Sequence, residues 1–200
     1  MISIVIPALN EEKSRPDCLK SLRNQDYMGS YEIIVADNGS TDETARIARD
    51  FGTCVIPCPE KKSAVYARQT GADSVQGDII AQADADTIYP RDWLSRIANR
   101  FEKHPEVVAV AGRHVYTEPP WWARAEYAIM IGIAWLTVPI FGRPLVVSGA
   151  TFAFRRETFL ALGGYHGIAH APDEWGIASR LSKMGKVSYD KDLCVITQRR

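Results

Sequence analysis

The first 116 residues of the chain alternate between short apolar runs and longer segments with helical periodicity. In chain order these segments are "ISIVIPA", "RPDCLKSLRNQ", "YEIIVAD", "TDETARIARDFG", "CVIPC", "SAVYARQTGADSV", "DIIAQADAD", "PRDWLSRIANRFEKH" and "VVAVAGRHVY". Strands that are apolar almost throughout and are separated by helices pair in parallel, with helices covering both faces of the sheet. The sequence therefore predicts an α/β fold with a doubly wound, mostly parallel sheet.

The 200 residues suffice for one core, and we expect a single domain over residues 1–200. The 24 Lys and Arg balance the 24 Asp and Glu, so no net charge draws the surface to nucleic acid, and an anionic ligand needs a local site. The four scattered cysteines lack the spacing of a zinc site, and the start "MISIVIPALNEE" lacks the basic residues of a signal peptide. We expect a cytoplasmic protein with reduced thiols.

Ligands of doubly wound sheets bind beyond the carboxyl ends of the strands. Polar residues follow three of the predicted strands at these ends: Asn10, Glu11 and Glu12 after the first, "DNGSTD" after the second, and Asp84 with Asp86 after the fourth. We predict that the three loops converge on one crevice. We also predict that Ser40 or Thr41 caps the second helix, that Asp42 helps to cap it, and that Pro90 lies in the first turn of a later helix.

The stretch "DIIAQADADTIYP" places two aspartates two residues apart. In an extended segment Asp84 and Asp86 point to the same side, where two like charges need a cation. Mg²⁺ and Mn²⁺ suit such oxygen ligands and complete their shell with phosphate and water. In the alternative interpretation both are solvated turn residues, and Asp86 or Thr87 starts the next helix. A dehalogenase-type phosphatase, which also uses D-x-D, would carry Thr or Val in place of Ile88.

The loop after the second strand suits an anionic or nucleotide ligand. Gly39 allows a turn after Asp37 and Asn38, and the N-terminus of the following helix favours a negative charge. A carboxylate at Asp37 can accept hydrogen bonds from a base or a ribose. Neither G-x-G-x-x-G nor G-x-x-x-x-G-K-[ST] follows a strand, which excludes the Rossmann dinucleotide-binding and P-loop NTPase classes.

Six segments together resemble the family 2 glycosyltransferases, in the same order and over nearly all of the chain. They are "ISIVIPALNEE", "EIIVADNGSTDET", "SAVYARQTGA", "IAQADADT", "SGATFAFRRETFLALGGY" and "PDEWGIASRL". The resemblance implies the glycosyltransferase A fold and an inverting transfer from a nucleotide-diphosphate sugar, a UDP sugar before a GDP sugar, with Mn²⁺ or Mg²⁺. It implies a nucleotide-binding half over residues 1–116 and an acceptor and catalytic half over 117–200.

The resemblance also assigns the residues that bind the nucleotide and the metal. Nucleotide contacts are expected from Pro7, Ala8, Asn10, Glu11, Asp37, Asn38, Arg68 and Asp84. Asp86 is the expected direct metal ligand, with Asp84 beside it. Arg68 matches a basic residue that approaches the donor, although Gln69 stands where the family usually carries Asn and Lys61–Lys62 replace a Gly-containing approach. Alternatively, Arg68 belongs to a solvated helix face.

Inverting transfer needs a carboxylate that takes the proton of the acceptor hydroxyl. Counting back from Arg180, the Glu-Asp pair of the family falls on Asp173 and Glu174 in reversed order, so we expect Glu174 as the base and Asp173 as the alternative. Both residues also suit the first turn of a helix. Gly163 and Gly164 are expected to form a tight turn. Contacts with the donor sugar or the acceptor are expected from Gly149, Gly164, His166, His170 and Trp175, although a loop histidine is otherwise simply solvated.

No charged residue occurs from Tyr127 to Phe141. This run is shorter than the roughly 20 residues of a membrane-spanning helix, and Pro139 interrupts it. It predicts one of two structures. The first is a helix that is buried against the sheet or against a second copy of the chain. The second is an interfacial helix over residues 121–141 that presents a lipid-linked acceptor at the inner face of the membrane. The side chains that would lie at headgroup depth are Trp121, Trp122 and Trp135.

Two other functions are compatible with parts of this pattern. A non-catalytic nucleotide-sugar-binding or scaffold protein would share the fold. A sugar-nucleotide pyrophosphorylase would carry a glycine-rich, basic loop after the first strand, and "PALNEEKSRP" contains no glycine. We therefore expect an inverting glycosyltransferase, with the scaffold protein as the alternative.

Overall fold

The computed structural model describes residues 1–59, 63–117, 147–166 and 173–197, and single positions between 118 and 146; of residues 173–175 it describes the backbone alone. The strands are β1 (Ile2–Ala8), β2 (Tyr31–Asp37), β3 (Cys54–Pro57), β4 (Ile79–Gln82), β5 (Thr87–Ile88), β6 (Val107–Tyr116), β7 (Phe152–Arg155) and β8 (Lys186–Thr197). The helices are α1 (Arg15–Arg23), α2 (Thr44–Asp50), α3 (Ala64–Asp73), α4 (Trp93–Lys103), α5 (Arg156–Ala161) and α6 (Asp173–Leu181). A 3₁₀ turn, Gly149–Thr151, precedes β7.

The described strands form one mixed sheet in the order β3-β2-β1-β4-β7-β6-β8-β5. The first four strands are parallel, which confirms the α/β fold predicted from the alternating pattern. In the other half β6 and β8 also pair in parallel, so the prediction of a mostly parallel sheet is confirmed. Strand β7 runs antiparallel to both β4 and β6, and β5 runs antiparallel to β8.

Helices cover both faces of the sheet, and this explains why β1 is apolar on both sides. Ile4 and Ile6 face a core formed with α1 and α4, whereas Val5 faces a second core formed with α3, α5 and α6. Side chains alternate across a strand, so a strand that is buried on both faces is apolar at nearly every position. The exception in β1 is Ser3, whose buried hydroxyl donates to Glu32. Each large apolar side chain that is fully buried contributes about 1.5–3 kcal/mol.

The start of α2 differs from the prediction. The helix begins at Thr44, and Glu43, not Ser40 or Thr41, occupies the N-cap position. Ser40 and Thr41 instead hydrogen-bond the loop after β1: the N–H of Asn10 donates to Ser40 Oγ, and the N–H of Thr41 donates to Asn10 Oδ1. The contact between the two loops uses the groups that would otherwise cap the helix.

Pro90 lies before α4, not in its first turn as predicted. The helix begins at Trp93, whose N–H donates to the carbonyl of Pro90 at 3.1 Å. Thr87 and Ile88, which precede Pro90, are extended and pair with β8. The alternative in which Asp86 or Thr87 starts a helix is therefore also wrong.

Apolar side chains are exposed in the segment without charges. Ile129, Leu136 and Ile140 are 61%, 62% and 64% exposed, and Ile133 is exposed as well. Each of these four positions is helical, and their spacing of four, three and four residues matches the period of a helix. Burial against the sheet, one of the two predictions for this segment, is therefore wrong for these four side chains.

The described residues include no helix with both the length and the hydropathy of a membrane span. Trp122 is exposed. The other two tryptophans of the predicted interfacial helix, Trp121 and Trp135, lie outside the described residues, as do Lys61 and Lys62.

Candidate functional site

A crevice of about 380 Å³ opens at the carboxyl ends of β1, β2 and β4. Its lining comes from the three predicted loops and from α3: Pro7, Ala8, Leu9, Glu11, Asn38, Ala64, Ala67, Arg68, Asp84, Ala85 and Asp86. The prediction that three polar loops converge is confirmed, because parallel strands end at the same edge of the sheet. Leu9, Ala64, Ala67 and Ala85 were not singled out in the sequence, since small and apolar residues carry no chemical signal.

The loop after β1 is fastened to the loop after β2. Asn10 adopts a positive φ of 54°, which is uncommon for a residue with a side chain. The Oδ1 of its side-chain amide accepts the N–H of Thr41 at 2.9 Å. The N–H of Glu11 donates to Thr44 Oγ1 at 2.7 Å. Asn10 thus shapes the crevice from outside its lining.

Asp42 joins the same two loops. Its Oδ1 accepts the N–H of Thr44 at 3.0 Å, and its Oδ2 accepts the N–H of Glu12 at 3.2 Å. Burial pushes the pKa of Asp42 upward, but the hydrogen bonds from Thr44 and Glu12 outweigh it and leave the pKa below its ordinary value. The predicted capping role of Asp42 is confirmed, with a second role as a link between loops.

Asp37 and Asn38 stand at the end of β2. Asn38 is buried and lines the crevice, and its N–H donates to the carbonyl of Ala8 at 2.8 Å. Asp37 lies just behind the lining, where its Oδ1 accepts the N–H of Ser40 at 3.2 Å. The parallel register that pairs Ala8 with Asp37 brings these residues together.

The aspartate pair occupies a turn. The N–H of Thr87 donates to the carbonyl of Asp84 at 3.3 Å, so the chain bends immediately after β4. The expectation of an extended segment is wrong, because β5 must reverse toward β8. Both Asp84 and Asp86 nevertheless line the crevice.

Arg68 forms an ion pair with the first aspartate. Its Nη2 lies 2.9 Å from Asp84 Oδ1, and the two side chains are 7% and 33% exposed. The alternative of a solvated helix face is therefore wrong for Arg68. A partly buried, charge-assisted hydrogen bond of this kind fixes both groups more firmly than a surface ion pair would.

Tyr89 connects the aspartate turn to the segment that contains Gly149. The phenol oxygen accepts the N–H of Asp84 at 2.8 Å and donates its hydrogen to the carbonyl of Ala150 at 3.0 Å. The ring is 3% exposed and packs 4.4 Å, between centroids, from Trp93, and burial raises the pKa of the phenol well above its ordinary value. No sequence motif singled out Tyr89, because its role depends on a residue 61 positions away.

The turn at Gly163 and Gly164 is present as predicted, with φ values of 74° and 64°. A side chain at Gly164 would meet the amide of Gln69, whose Oε1 accepts the N–H of Tyr165 at 2.7 Å. Gln69, the departure from the family pattern, therefore anchors this turn to α3. Arg180 also donates to the carbonyl of Gly164.

The remaining predicted residues lie around α6. His166 is exposed at the end of the glycine turn, and His170 lies outside the described residues. Asp173 and Glu174 begin α6, as their preference for a first helical turn predicts, and Trp175 follows in the same turn. Only the backbone of these three residues is described.

The charge of the lining favours a cation. Glu11, Asp84 and Asp86 are acidic, whereas Arg68 is basic, so an anionic ligand needs further positive charge in the crevice. Within the described ranges no three or more His, Cys, Asp or Glu side chains form a group that could hold a metal ion on their own. The two aspartates fit a divalent ion that takes its remaining ligands from phosphate and water.

The comparisons with known proteins agree with this geometry. The family model described as glycosyl transferase family 2 matches residues 3–163. The chain belongs to glycosyl transferase family 2. A curated relative from Haloferax volcanii, glucosyl-dolichyl phosphate glucuronosyltransferase, is 28% identical over 82% of this chain and 55% of the relative. The chain thus spans about half the length of that relative.

Solved structures show the same fold. The mannosyltransferase PcManGT from Pyrobaculum calidifontis, in complex with GDP-Man and Mn²⁺, superposes with a TM-score of 0.80 at 22% identity over 98% of this chain and 56% of that one. S. aureus TarS in complex with UDP-GlcNAc gives a TM-score of 0.80 at 17% identity over 100% of this chain and 58% of that one. The glycosyltransferase A fold expected from the sequence is confirmed.

We predict that Tyr89→Phe lowers the free energy of unfolding by about 2 kcal/mol, because it leaves the buried N–H of Asp84 and the carbonyl of Ala150 without their partner. Urea denaturation measures this change. Tyr31→Phe is the matched control, since that phenol donates to the single carbonyl of Leu22 at 3.1 Å, and it should lose about 1 kcal/mol or less. Equal losses in the two variants would contradict the connecting role of Tyr89.

Proposed function

We propose that this protein transfers a sugar, with inversion, from a UDP or GDP sugar to a lipid-linked acceptor, using Mn²⁺ or Mg²⁺. The observation that carries the proposal is the crevice in which Arg68, Asp84 and Asp86 meet the loops after β1 and β2. Family membership supports the reaction type. The named ligands of the structural relatives, GDP-Man with Mn²⁺ and UDP-GlcNAc, support the donor class.

The base and ribose of the donor would contact the loops after β1 and β2, through Pro7, Ala8, Glu11, Asp37 and Asn38. Asn10 supports these contacts by fixing the two loops to each other. The peptide groups at this edge offer hydrogen bonds to a planar base, and carboxylates can accept from base N–H groups or ribose hydroxyls. The geometry fits a nucleotide that lies along the strand ends with its diphosphate toward Asp84.

Asp86 and Asp84 would hold the divalent ion, and Arg68 would lie beside the diphosphate. When bound, the ion supplies positive charge that stabilises the departing nucleoside diphosphate. The pairing of Arg68 with Asp84 keeps the guanidinium at the crevice instead of letting it extend into solvent. Tyr89 holds the turn that presents both carboxylates.

The acceptor hydroxyl would be activated by Glu174, with Asp173 as the alternative base, at the start of α6. In the reaction the hydroxyl oxygen forms a bond to the anomeric carbon, the bond from that carbon to the diphosphate oxygen breaks, and the carboxylate takes the hydroxyl proton. Contacts with the sugar or the acceptor are proposed for Gly149, Gly164, His166, His170 and Trp175. A single displacement gives a product whose anomeric configuration is opposite to that of the donor sugar. NMR of the product measures this configuration, and a retained configuration would refute the single displacement.

The exposed apolar face of Ile129, Ile133, Leu136 and Ile140 supports a lipid-linked acceptor. A helix with an apolar face buried at the headgroup boundary holds a protein on a membrane without crossing it. The name of the Haloferax volcanii relative, a glucosyl-dolichyl phosphate glucuronosyltransferase, indicates a substrate of this class for that protein. We propose that residues 121–141 contact the cytoplasmic face of the membrane.

The metal assignment predicts that Asp86→Asn weakens Mn²⁺ binding in the presence of UDP or GDP by at least about tenfold, because a direct ligand is lost. The electron paramagnetic resonance signal of free Mn²⁺ measures this binding. Asp92→Asn is the control, since Asp92 pairs with Arg96 at the surface of α4. Unchanged Mn²⁺ binding by the Asp86 variant would show that the ion is held elsewhere.

The base assignment predicts that the double variant Asp173→Asn, Glu174→Gln loses sugar transfer by about 100-fold or more while it still binds nucleotide. The readout is transfer of labelled sugar to a polyprenyl phosphate. Glu157→Gln on α5 serves as the control, because this exposed residue lies away from the crevice. Normal transfer by the double variant would refute both candidates for the base. A wild-type chain that binds the donor and transfers nothing would favour the scaffold alternative.

The membrane contact predicts that the protein floats with phosphatidylcholine vesicles that contain some phosphatidylglycerol. Leu136→Asp should reduce this binding by about tenfold, since apolar burial is lost and a charge is added. Leu160→Asp, at an exposed leucine of α5, should leave it unchanged. If the wild-type chain fails to float and instead dimerises in sedimentation, a second copy covers this face and the membrane contact is wrong.

A further inference from the structure

The turn that contains Gly163 and Gly164 is joined by hydrogen bonds to two helices, α3 and α6. On the side of α3, the N–H of Tyr165 donates to Gln69 Oε1 at 2.7 Å. Gly164 adopts a φ of 64°, and a Cβ at this position would lie 2.4 Å from the same oxygen of Gln69. Glycine is therefore needed here both for the backbone conformation and for the close approach of α3.

On the side of α6, the turn is held by Arg180, which lies in the last turn of that helix. Its Nη1 donates to the carbonyls of Gly164 and His166, at 3.0 Å each, and its Nη2 donates to the carbonyl of Leu162. An arginine offers several N–H donors in one rigid plane, so it can fix these three carbonyls relative to one another. The carbonyls of the turn thus bind α6, while an N–H of the turn binds α3.

Gln69 uses both ends of its side-chain amide. Its Oε1 accepts the N–H of Tyr165, and its Nε2 donates to Asp73 Oδ1 at 2.6 Å, one turn further along α3. Gln69 is buried. A buried amide that is bonded at both ends keeps one orientation, since rotation would exchange its donor for its acceptor. Gln69 therefore fixes the position of the turn relative to α3.

The two helices carry groups that serve different parts of the proposed reaction. Arg68, the neighbour of Gln69 on α3, pairs with Asp84 in the crevice. The candidates for the base begin α6, the helix that carries Arg180. Glu174 lies less than two turns before Arg180, so the two residues move as parts of one rigid helix. A continuous series of contacts thus connects the metal-binding turn with the base.

We propose that Gln69 and Arg180 are positioning residues of the transfer reaction: through the glycine turn they hold the base at the start of α6 at a fixed distance from the donor in the crevice. This inference rests on the proposed function. Both side chains lie outside the lining of the crevice, so they act through the main chain that they hold. A misplacement of about 1 Å can lower a reaction rate by about 100-fold. Loss of this link should therefore slow turnover and leave the binding of the nucleotide intact.

The first test compares Gln69→Met with wild type. Methionine is close to glutamine in size but makes neither hydrogen bond. The variant should lose about tenfold or more in kcat for sugar transfer to a polyprenyl phosphate, with unchanged affinity for UDP or GDP in Mn²⁺. Calorimetric titration measures this affinity and counts the binding sites, and kcat is expressed per site so that an unfolded fraction does not lower it. Gln69→Asn, which is one methylene shorter, replaces Gln69→Met if that variant does not fold.

Gln25→Met is the matched control. Gln25 also bonds through both ends of its amide, donating to the carbonyl of Pro90 and accepting the N–H of Leu94, but it joins α1 to α4 and not to the glycine turn. Both variants should unfold at a lower urea concentration than wild type, because each loses hydrogen bonds. Only Gln69→Met should lose kcat per site.

An exchange of donor and acceptor provides the rescue. In the double variant Gln69→Glu, Asp73→Asn, the amide of residue 73 can donate to the carboxylate of residue 69. The other oxygen of that carboxylate can still accept the N–H of Tyr165, and the net charge of the pair is unchanged. The kcat of this variant should lie close to that of wild type.

Hydrogen exchange measures the link without turnover. Gln69→Met and Arg180→Met should each speed the exchange of amide hydrogens at the start of α6 by about tenfold, and should leave β4 unchanged. The variant with both substitutions should exchange no faster than the faster single variant, because each substitution releases the same turn.

Each other outcome overturns the inference. Unchanged exchange at the start of α6 would show that Gln69 does not hold the helix. A fall in nucleotide affinity would place its effect in the crevice, and failure of the rescue would show that the hydrogen bonds are not the cause. A wild-type chain that transfers no sugar overturns the proposed function and the inference with it. Wild-type transfer with an unaffected kcat per site in Gln69→Met overturns the inference alone.

Discussion

The parallel pairing of β1 with β2 and β4 is the constraint on which the site depends. Parallel strands end at one edge of the sheet, so this pairing delivers three loops to one place whatever their sequences are. The sequence then decides what the loops carry. Because the strands are buried on both faces by apolar residues, polar chemistry is confined to their ends, where Asn38, Asp84 and Asp86 meet.

Hydrogen bonds between the loops fix the shape of the crevice. Asn10 in a positive-φ conformation and Asp42 with both oxygens engaged tie the loop after β1 to the loop after β2. Tyr89 ties the aspartate turn to the segment before β7. The cost of a strained backbone and of buried polar groups is acceptable in such a site because the surrounding fold holds them in place. The resulting crevice is acidic, which suits a diphosphate only together with a cation.

Much of the fold could be predicted because its signals are local. The runs "ISIVIPA" and "YEIIVAD" coincide with β1 and β2, since continuous β-branched residues leave few alternatives. The antiparallel insertion of β7 could not be predicted, because strand order is set by long-range packing. The helix cap at Ser40 or Thr41 was wrong for a similar reason: the neighbouring loop uses those groups.

The residues of the candidate site also differ in whether the sequence could predict them. Arg68, Asp84 and Asp86 could be proposed from motifs and their place after strands, and the structure brings them together. Tyr89 could not, since a tyrosine in the sequence gives no sign of whether it will be buried or which groups it will contact. Gln69 could be predicted only in part. The sequence shows that it departs from the family pattern, but it does not show that Gln69 accepts the N–H of Tyr165.

We propose that the crevice binds a nucleoside diphosphate through a divalent ion. The most direct test is calorimetric titration of the wild-type protein with UDP and with GDP, each with and without Mn²⁺. We expect one of the two nucleotides to bind at least about tenfold more tightly when Mn²⁺ is present. Binding of neither nucleotide in Mn²⁺, or equal affinity with and without the ion, would contradict it.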